Sequence, residues 1–139
     1  MWGLTKAVLV VILLLLSIPL ISLAFDRGEV TRISVGELKK MMDDKTDVVI
    51  LDTQPTSIYK KGHIKGASSF PWKENIALVE TELLPRNRSI VLYCACGPGE
   101  GDSASVAAQL IDLGFDFDLV KVLKDPSIEG WKKAGYPME

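Results

Sequence analysis

The 139-residue chain has two cysteines, one histidine and few aromatics, which make up 7% of residues. Two thiols and a single histidine fall short of the four ligands that a structural zinc site takes, so no metal site is expected. Sixteen Lys and Arg stand against 18 Asp and Glu, a formal net charge of −2, with the two signs interspersed and no basic block. A nucleic-acid footprint is therefore absent and no nucleic-acid partner is expected. There is no internal repeat, and the only long apolar run is the first one. Hydrophobic residues are 47% of the chain and charged residues 24%, enough for one domain with a proper core and too short a chain for two.

That first run, "MWGLTKAVLVVILLLLSIPLISLAFDRGE", carries Lys6 and then no charge until Asp26. It reads as an export or membrane segment, and residues 1–25 are expected to be a signal peptide or an N-terminal anchor. Ser17 and Pro19 interrupt the run, and Ser22-Leu23-Ala24 supplies small residues at the spacing a signal peptidase reads, with cleavage after Ala24. In either case Lys6 stays on the cytoplasmic side and residues 26–139 are exported, which predicts a periplasmic or otherwise extracytoplasmic domain. Membrane contact is expected only through this segment, if it is not cleaved.

The exported part alternates β-rich and helical stretches. Ser34-Val35-Gly36-Glu37 has the form of a capping box and predicts a helix from near Ser34. "DVVILD" (Asp47–Asp52), "SIVLYC" (Ser89–Cys94) and "DLVKVL" (Asp118–Leu123) read as buried strands, with "GASSF" (Gly66–Phe70) a weaker one. Ser103–Leu113 presents Val106, Ala107, Leu110 and Ile111 on one face, Gly114 is placed to end it, and Asp102 or Ser103 is expected to cap it. Pro55, Pro71, Pro85 and Pro137 fall between the elements. The order predicts an α/β fold with a mainly parallel sheet.

Both cysteines stand in "YCACGPGEGDSAS", at the junction of the Ser89–Cys94 strand and the next helix. Strand ends in a parallel sheet are where backbone amides and a helix N-terminus converge. A thiol there is expected to favour its nucleophilic thiolate form, and this makes Cys94 the candidate nucleophile. Gly97, Gly99 and Gly101 allow the loop Ala95, Cys96, Gly97, Pro98, Gly99, Glu100, Gly101, Asp102 and Ser103 to curl with amides facing inward as an anion nest. Cys96 has three open readings: a resolving thiol that pairs with Cys94, a second sulfur carrier, or a loop residue without a role. Glu100 is expected at the mouth of the loop, where its carboxylate would oppose an anion. Asp52 is expected to fix the loops at its strand end. His63 reads as a turn residue rather than a base, and Trp72 and Trp131 as core or site-wall residues.

The stretches "VVILDTQPTSIYKKGHIKGASSFPW", "IVLYCACG" leading to "SASVAAQLIDLGF", and "EGWKKAGYPME" resemble the rhodanese-like (sulfurtransferase) family, in the family's order, from about Ile33 to Glu139. The resemblance implies a three-layer fold with a five-stranded mainly parallel sheet flanked by helices. It also implies that Cys94 accepts a sulfane sulfur as a persulfide, with the following loop as its cradle and Asp52 and His63 in support. No cofactor is implied, and the expected partner is a small sulfur compound or a protein persulfide. This chain departs from the family pattern in its longer, acidic C-x-C loop without arginine, in Gln54 where an arginine commonly follows Asp52, and in "KDPSIEGW" where two glycines usually precede the tryptophan. Two other functions fit the same residues: a non-catalytic sulfur-sensing or binding module, and a thiol redox protein working through Cys94 and Cys96.

Overall fold

The computed structural model describes residues 29–139, so the expectation for the N-terminal apolar segment lies outside the described residues. Among the described residues, no helix is long and apolar enough to cross a membrane.

Five strands form one sheet: β1 (Thr31–Ile33), β2 (Val48–Asp52), β3 (Ser68–Ser69), β4 (Ser89–Tyr93) and β5 (Val120–Leu123). Their order across the sheet is β1-β5-β4-β2-β3 and every pairing is parallel. Among the described residues, four α-helices connect or flank them: α1 (Val35–Asp43), α2 (Thr56–Tyr59), α3 (Gly101–Asp112) and α4 (Ser127–Lys133). A single 3-10 turn, Leu78–Thr81, lies in the link from β3 to β4.

The expected capping box is present: Ser34 Oγ accepts the Glu37 N–H at 3.2 Å, and the Glu37 carboxylate accepts the Ser34 N–H at 2.7 Å. Two of the four amides that a helix start leaves unpaired are thereby satisfied at the start of α1, which fixes where the chain leaves β1.

The central strands are apolar on both faces because both faces are covered. Ile33, Ile50, Val91, Tyr93 and Leu123 pack against Leu38 of α1 and Ile128 and Trp131 of α4. Leu51, Ile90, Leu92, Val120 and Val122 point the other way, onto Val106, Ala107 and Leu110 of α3 and onto Phe115. Period-2 alternation in the strands thus feeds two cores, and the result is three layers. Trp131 is fully buried, as expected, with its indole N–H donated to the Pro137 carbonyl at 2.9 Å. Trp72 is not a core residue: it is 44% exposed and donates to Ser105 Oγ at 3.1 Å, near the start of α3.

One polar cluster sits inside this apolar frame, where β2 and β4 end side by side. Tyr93 is fully buried, donates its hydroxyl proton to Asp52 Oδ2 at 2.7 Å and accepts the Ile64 N–H at 3.1 Å. Burial, followed by the hydrogen bond to Asp52, pushes the phenol far above its ordinary value, so it stays a donor at every physiological pH. Tyr93→Phe is expected to cost about 1–2 kcal/mol, since the Ile64 amide loses its acceptor and Asp52 a donor in a dry site. Urea unfolding would measure this, and an unchanged midpoint would contradict it.

Candidate active site

The site is built where β4 stops. Tyr93 is the last residue of the central strand, and its carbonyl accepts two bonds from the neighbouring strand end: Thr53 N–H at 2.9 Å and Thr53 Oγ1–H at 3.0 Å. Cys94 follows at once, only 1% exposed. Its sulfur lies 3.5 Å from the hydroxyl of Ser103, which is in the first turn of α3 and fully buried. The thiol position therefore faces the positive end of a 12-residue helix. The N–H groups of Gly101, Asp102 and Ser103 precede the first intrahelical bond, which runs from Ala104 N–H to the Glu100 carbonyl at 2.7 Å.

Between Cys94 and the helix the loop passes through three left-handed conformations, at Gly97, Gly99 and Glu100. Gly97 has φ 77° and Gly99 φ 88°, positions at which a Cβ would be strained, and the Glu100 N–H closes the turn onto the Gly97 carbonyl at 3.1 Å. Gly101 differs from the expectation in being the first residue of α3 rather than part of the curl.

Cys94 and Cys96 are joined by a disulfide, with their Cα atoms 5.5 Å apart. The pairing that one of the three readings of Cys96 expected is present. The two partners differ in access: Cys94 is buried, whereas Ala95 and Cys96 are exposed.

Two expectations for the loop are corrected. Neither Asp102 nor Ser103 caps α3. The cap residue is Glu100, in the left-handed region at φ 47° and ψ 47°, with no side-chain capping bond, and the Ser103 hydroxyl donates instead to the Glu100 carbonyl at 3.1 Å. Glu100 also does not stand at the mouth of the loop. It is 3% exposed, and its carboxylate reaches across to β1 and to the end of β5, accepting Arg32 Nε–H at 2.6 Å and the Asp125 N–H at 2.8 Å. Burial alone would raise this carboxyl, but the Asp125 amide and the Arg32 guanidinium outweigh it and hold it below its ordinary value. The charge expected to oppose an anionic donor is thus turned inward and neutralised. Its work is to hold a non-glycine residue in a conformation that costs about 1–2 kcal/mol.

Glu100→Gln is accordingly expected to lower stability by about 1–3 kcal/mol, less than for a fully buried pair because Arg32 keeps partial contact with water. Because the folded carboxyl sits below the ordinary 4.5, its stabilisation is complete above that value and is lost as pH falls through the lowered one. The gap between wild type and variant should therefore be full at about pH 7 and shrink at about pH 3, as read by urea unfolding at both. A gap that persists unchanged in acid would contradict the assignment.

Asp52 is fully buried at the end of β2. Besides Tyr93 it accepts the Gln54 backbone N–H at 2.8 Å and the Gln54 side-chain amide at 3.1 and 3.2 Å, so Gln54 folds back to close the strand-end cluster. His63 stands apart from the loop. Its ring stacks on Tyr59 with centroids 3.8 Å apart, Nδ1 lies 3.0 Å from the Tyr59 carbonyl, and its backbone pairs with Glu139. That is the turn role. Arg32, Thr53 and Tyr93 carry functional geometry that the sequence motifs do not single out. Among the described residues no group of three or more His, Cys, Asp or Glu is placed to hold a metal ion. A cleft of about 230 Å³ beside β3, lined by Ser69, Phe70, Pro71, Lys73, Ile76 and Glu80, shares no residue with the Cys94 loop.

The fold and sequence have counterparts among known proteins. The family model described as "Rhodanese-like domain" matches residues 34–134. The chain belongs to the rhodanese-like domain family. Among solved structures, it is 25% identical to a protein from Bacillus halodurans, with a TM-score of 0.68 over 79% of this chain and 77% of that one. It is 26% identical to the rhodanese-like domain of an Anabaena sp. protein, with a TM-score of 0.66 over 78% of this chain and 77% of that one. A thiosulfate sulfurtransferase from Pseudomonas aeruginosa matches at 26% identity and a TM-score of 0.62, over 78% of this chain but only 20% of that longer one. No curated protein sequence matches the chain. The five-stranded parallel sheet flanked by helices is thus the rhodanese-like fold, as the sequence resemblance implied.

Proposed function

We propose that this rhodanese-like domain is a sulfurtransferase that works outside the cytoplasm, with Cys94 as the persulfide-forming nucleophile. The single observation that carries the reading is the placement of Cys94 at the end of the central strand, 3.5 Å from Ser103 in the first turn of α3. The similarity to a thiosulfate sulfurtransferase supports the chemistry. The apolar N-terminal run and the disulfide both fit an oxidising, extracytoplasmic location, with the N-terminal segment as export signal or anchor.

In the reduced site the Cys94 thiolate attacks the outer sulfur of a donor. The donor's S–S bond breaks, its remaining fragment leaves with the electron pair as sulfite or a thiolate, and a persulfide forms on Cys94. A thiophilic acceptor then attacks the terminal sulfur, and Cys94 leaves as the thiolate it began as. The helix end stabilises that charge at both stages. The Ser103 hydroxyl, which gives its proton to the Glu100 carbonyl in the oxidised site, is close enough to turn it toward the thiolate. The donor is a small sulfane compound or a protein persulfide. With Glu100 neutralised by Arg32, thiosulfate meets the loop amides without an opposing carboxylate from that residue.

Steady-state transfer to cyanide by the pre-reduced protein, with thiosulfate and polysulfide as alternative donors, tests the reading. Saturable turnover with at least one donor is expected. No turnover with either would favour a binding module.

A further inference from the structure

The Cys94–Cys96 disulfide raises the matter of how an oxidised site returns to work, because Cys94 held in an S–S bond offers no thiolate. We propose that Cys96 is a reaction site in its own right: an external thiol attacks Cys96 Sγ by thiol–disulfide exchange and releases Cys94 as the thiolate.

Two independent features of the loop select the same sulfur. The first is access. An attacking thiolate must approach a sulfur along the S–S axis from the side opposite the leaving sulfur. Cys94 is 1% exposed, continuous with β4 on one side and set against the buried Ser103 on the other, whereas Cys96 and its neighbours Ala95, Pro98 and Gly99 are exposed. The second is the leaving group. Exchange is faster when the departing thiolate is the more stabilised one. Cys94 departs into the positive end of α3 with the Ser103 hydroxyl 3.5 Å away, and Cys96, two residues along and exposed, has no such surroundings.

Atoms and electrons balance in two exchanges. The external thiolate RS⁻ forms an R–S–S–Cys96 bond, the Cys94–Cys96 bond breaks, and its electron pair passes to Cys94 Sγ. A second thiol attacks the R sulfur of the mixed disulfide, and Cys96 leaves as thiolate. Two thiols are oxidised to one disulfide, the loop gains two electrons, and the protons of the two thiols pass to solvent or to the freed cysteines. The reductant is a thiol, either two monothiols in turn or one dithiol. The exchange is independent of the sulfur-transfer reading; only its consequence, that opening the loop arms Cys94 for a donor, rests on that reading.

Trapping tests this without any sulfur transfer. The full chain, purified without reductant, is exposed briefly to excess 2-mercaptoethanol, quenched in acid and alkylated with N-ethylmaleimide, and the 94–96 peptide is fragmented in a mass spectrometer. The expected species carries mercaptoethanol on Cys96 and maleimide on Cys94, in at least about tenfold excess over the reverse arrangement. Dithiothreitol in place of the monothiol should give maleimide on both. Equal labelling, mercaptoethanol mainly on Cys94, a disulfide that stays closed in excess thiol, or protein isolated with both thiols free would each overturn the proposal.

Discussion

Cys94→Ser is expected to abolish sulfur transfer, lowering kcat/KM by about 10³-fold or more. A serine hydroxyl at the same strand end is a far weaker nucleophile than a thiolate and forms no persulfide, while the helix end and loop amides remain to bind a donor. Loss should therefore appear in kcat, with KM little changed. Cys96→Ser makes the contrast. It removes the disulfide, leaves the Cys94 sulfur against α3, and should retain at least part of the activity of the reduced wild type. Steady-state assays of all three proteins under reductant decide the matter. Equal and complete loss in both variants would point to a dithiol reaction and away from Cys94 as sole nucleophile.

The second large effect is on stability. Asp52→Ala is expected to cost about 3–5 kcal/mol, because the carboxylate is fully buried and takes bonds from Tyr93, the Gln54 amide and the Gln54 side chain. Alanine leaves those three donors without a partner in a place that water does not reach. For a domain of this size a loss of that order lowers Tm by more than about 10 °C. An asparagine at this position would keep an acceptor oxygen for the Gln54 amide but turn an NH₂ group toward other donors, so Asp52→Asn should fall between wild type and alanine. Thermal and urea unfolding of the two variants would show the order. An Asp52→Ala protein within about 0.5 kcal/mol of wild type would contradict the placement of Asp52 as the hub of the strand-end cluster.

The sheet was legible in the sequence because its central strands are apolar on both faces. Runs such as Val48–Leu51 and Ile90–Leu92 are short, rich in β-branched residues and bounded by polar ones, which favours buried strands over helix. The short edge strands were less so: β3, two residues long, lies within the weaker candidate Gly66–Phe70, and β1, with three residues, is too short to show a period and is recognisable only from its pairing with β5. Helix α1 was legible through its capping box. The start of α3 was misjudged because Asp102 and Ser103 have the side chains of caps. Glu100, held by a residue 68 positions away, takes the cap position instead. That long-range pair also explains the error over the loop's charge. A glutamate in a glycine-rich loop reads as exposed until Arg32 is brought beside it, and nothing local to Thr31–Ile33 announces such a partner. Cys94 was identified correctly as the residue at the strand end because that assignment needs only the order of strand, turn and helix.

Whether Cys94 carries sulfur is decided by mass spectrometry of the pre-reduced protein after brief exposure to thiosulfate or polysulfide. The expected product is an adduct of about 32 Da, one sulfur, located on Cys94, removed by cyanide and absent from Cys94→Ser. An adduct located only on Cys96, or none with either donor, would contradict the assignment.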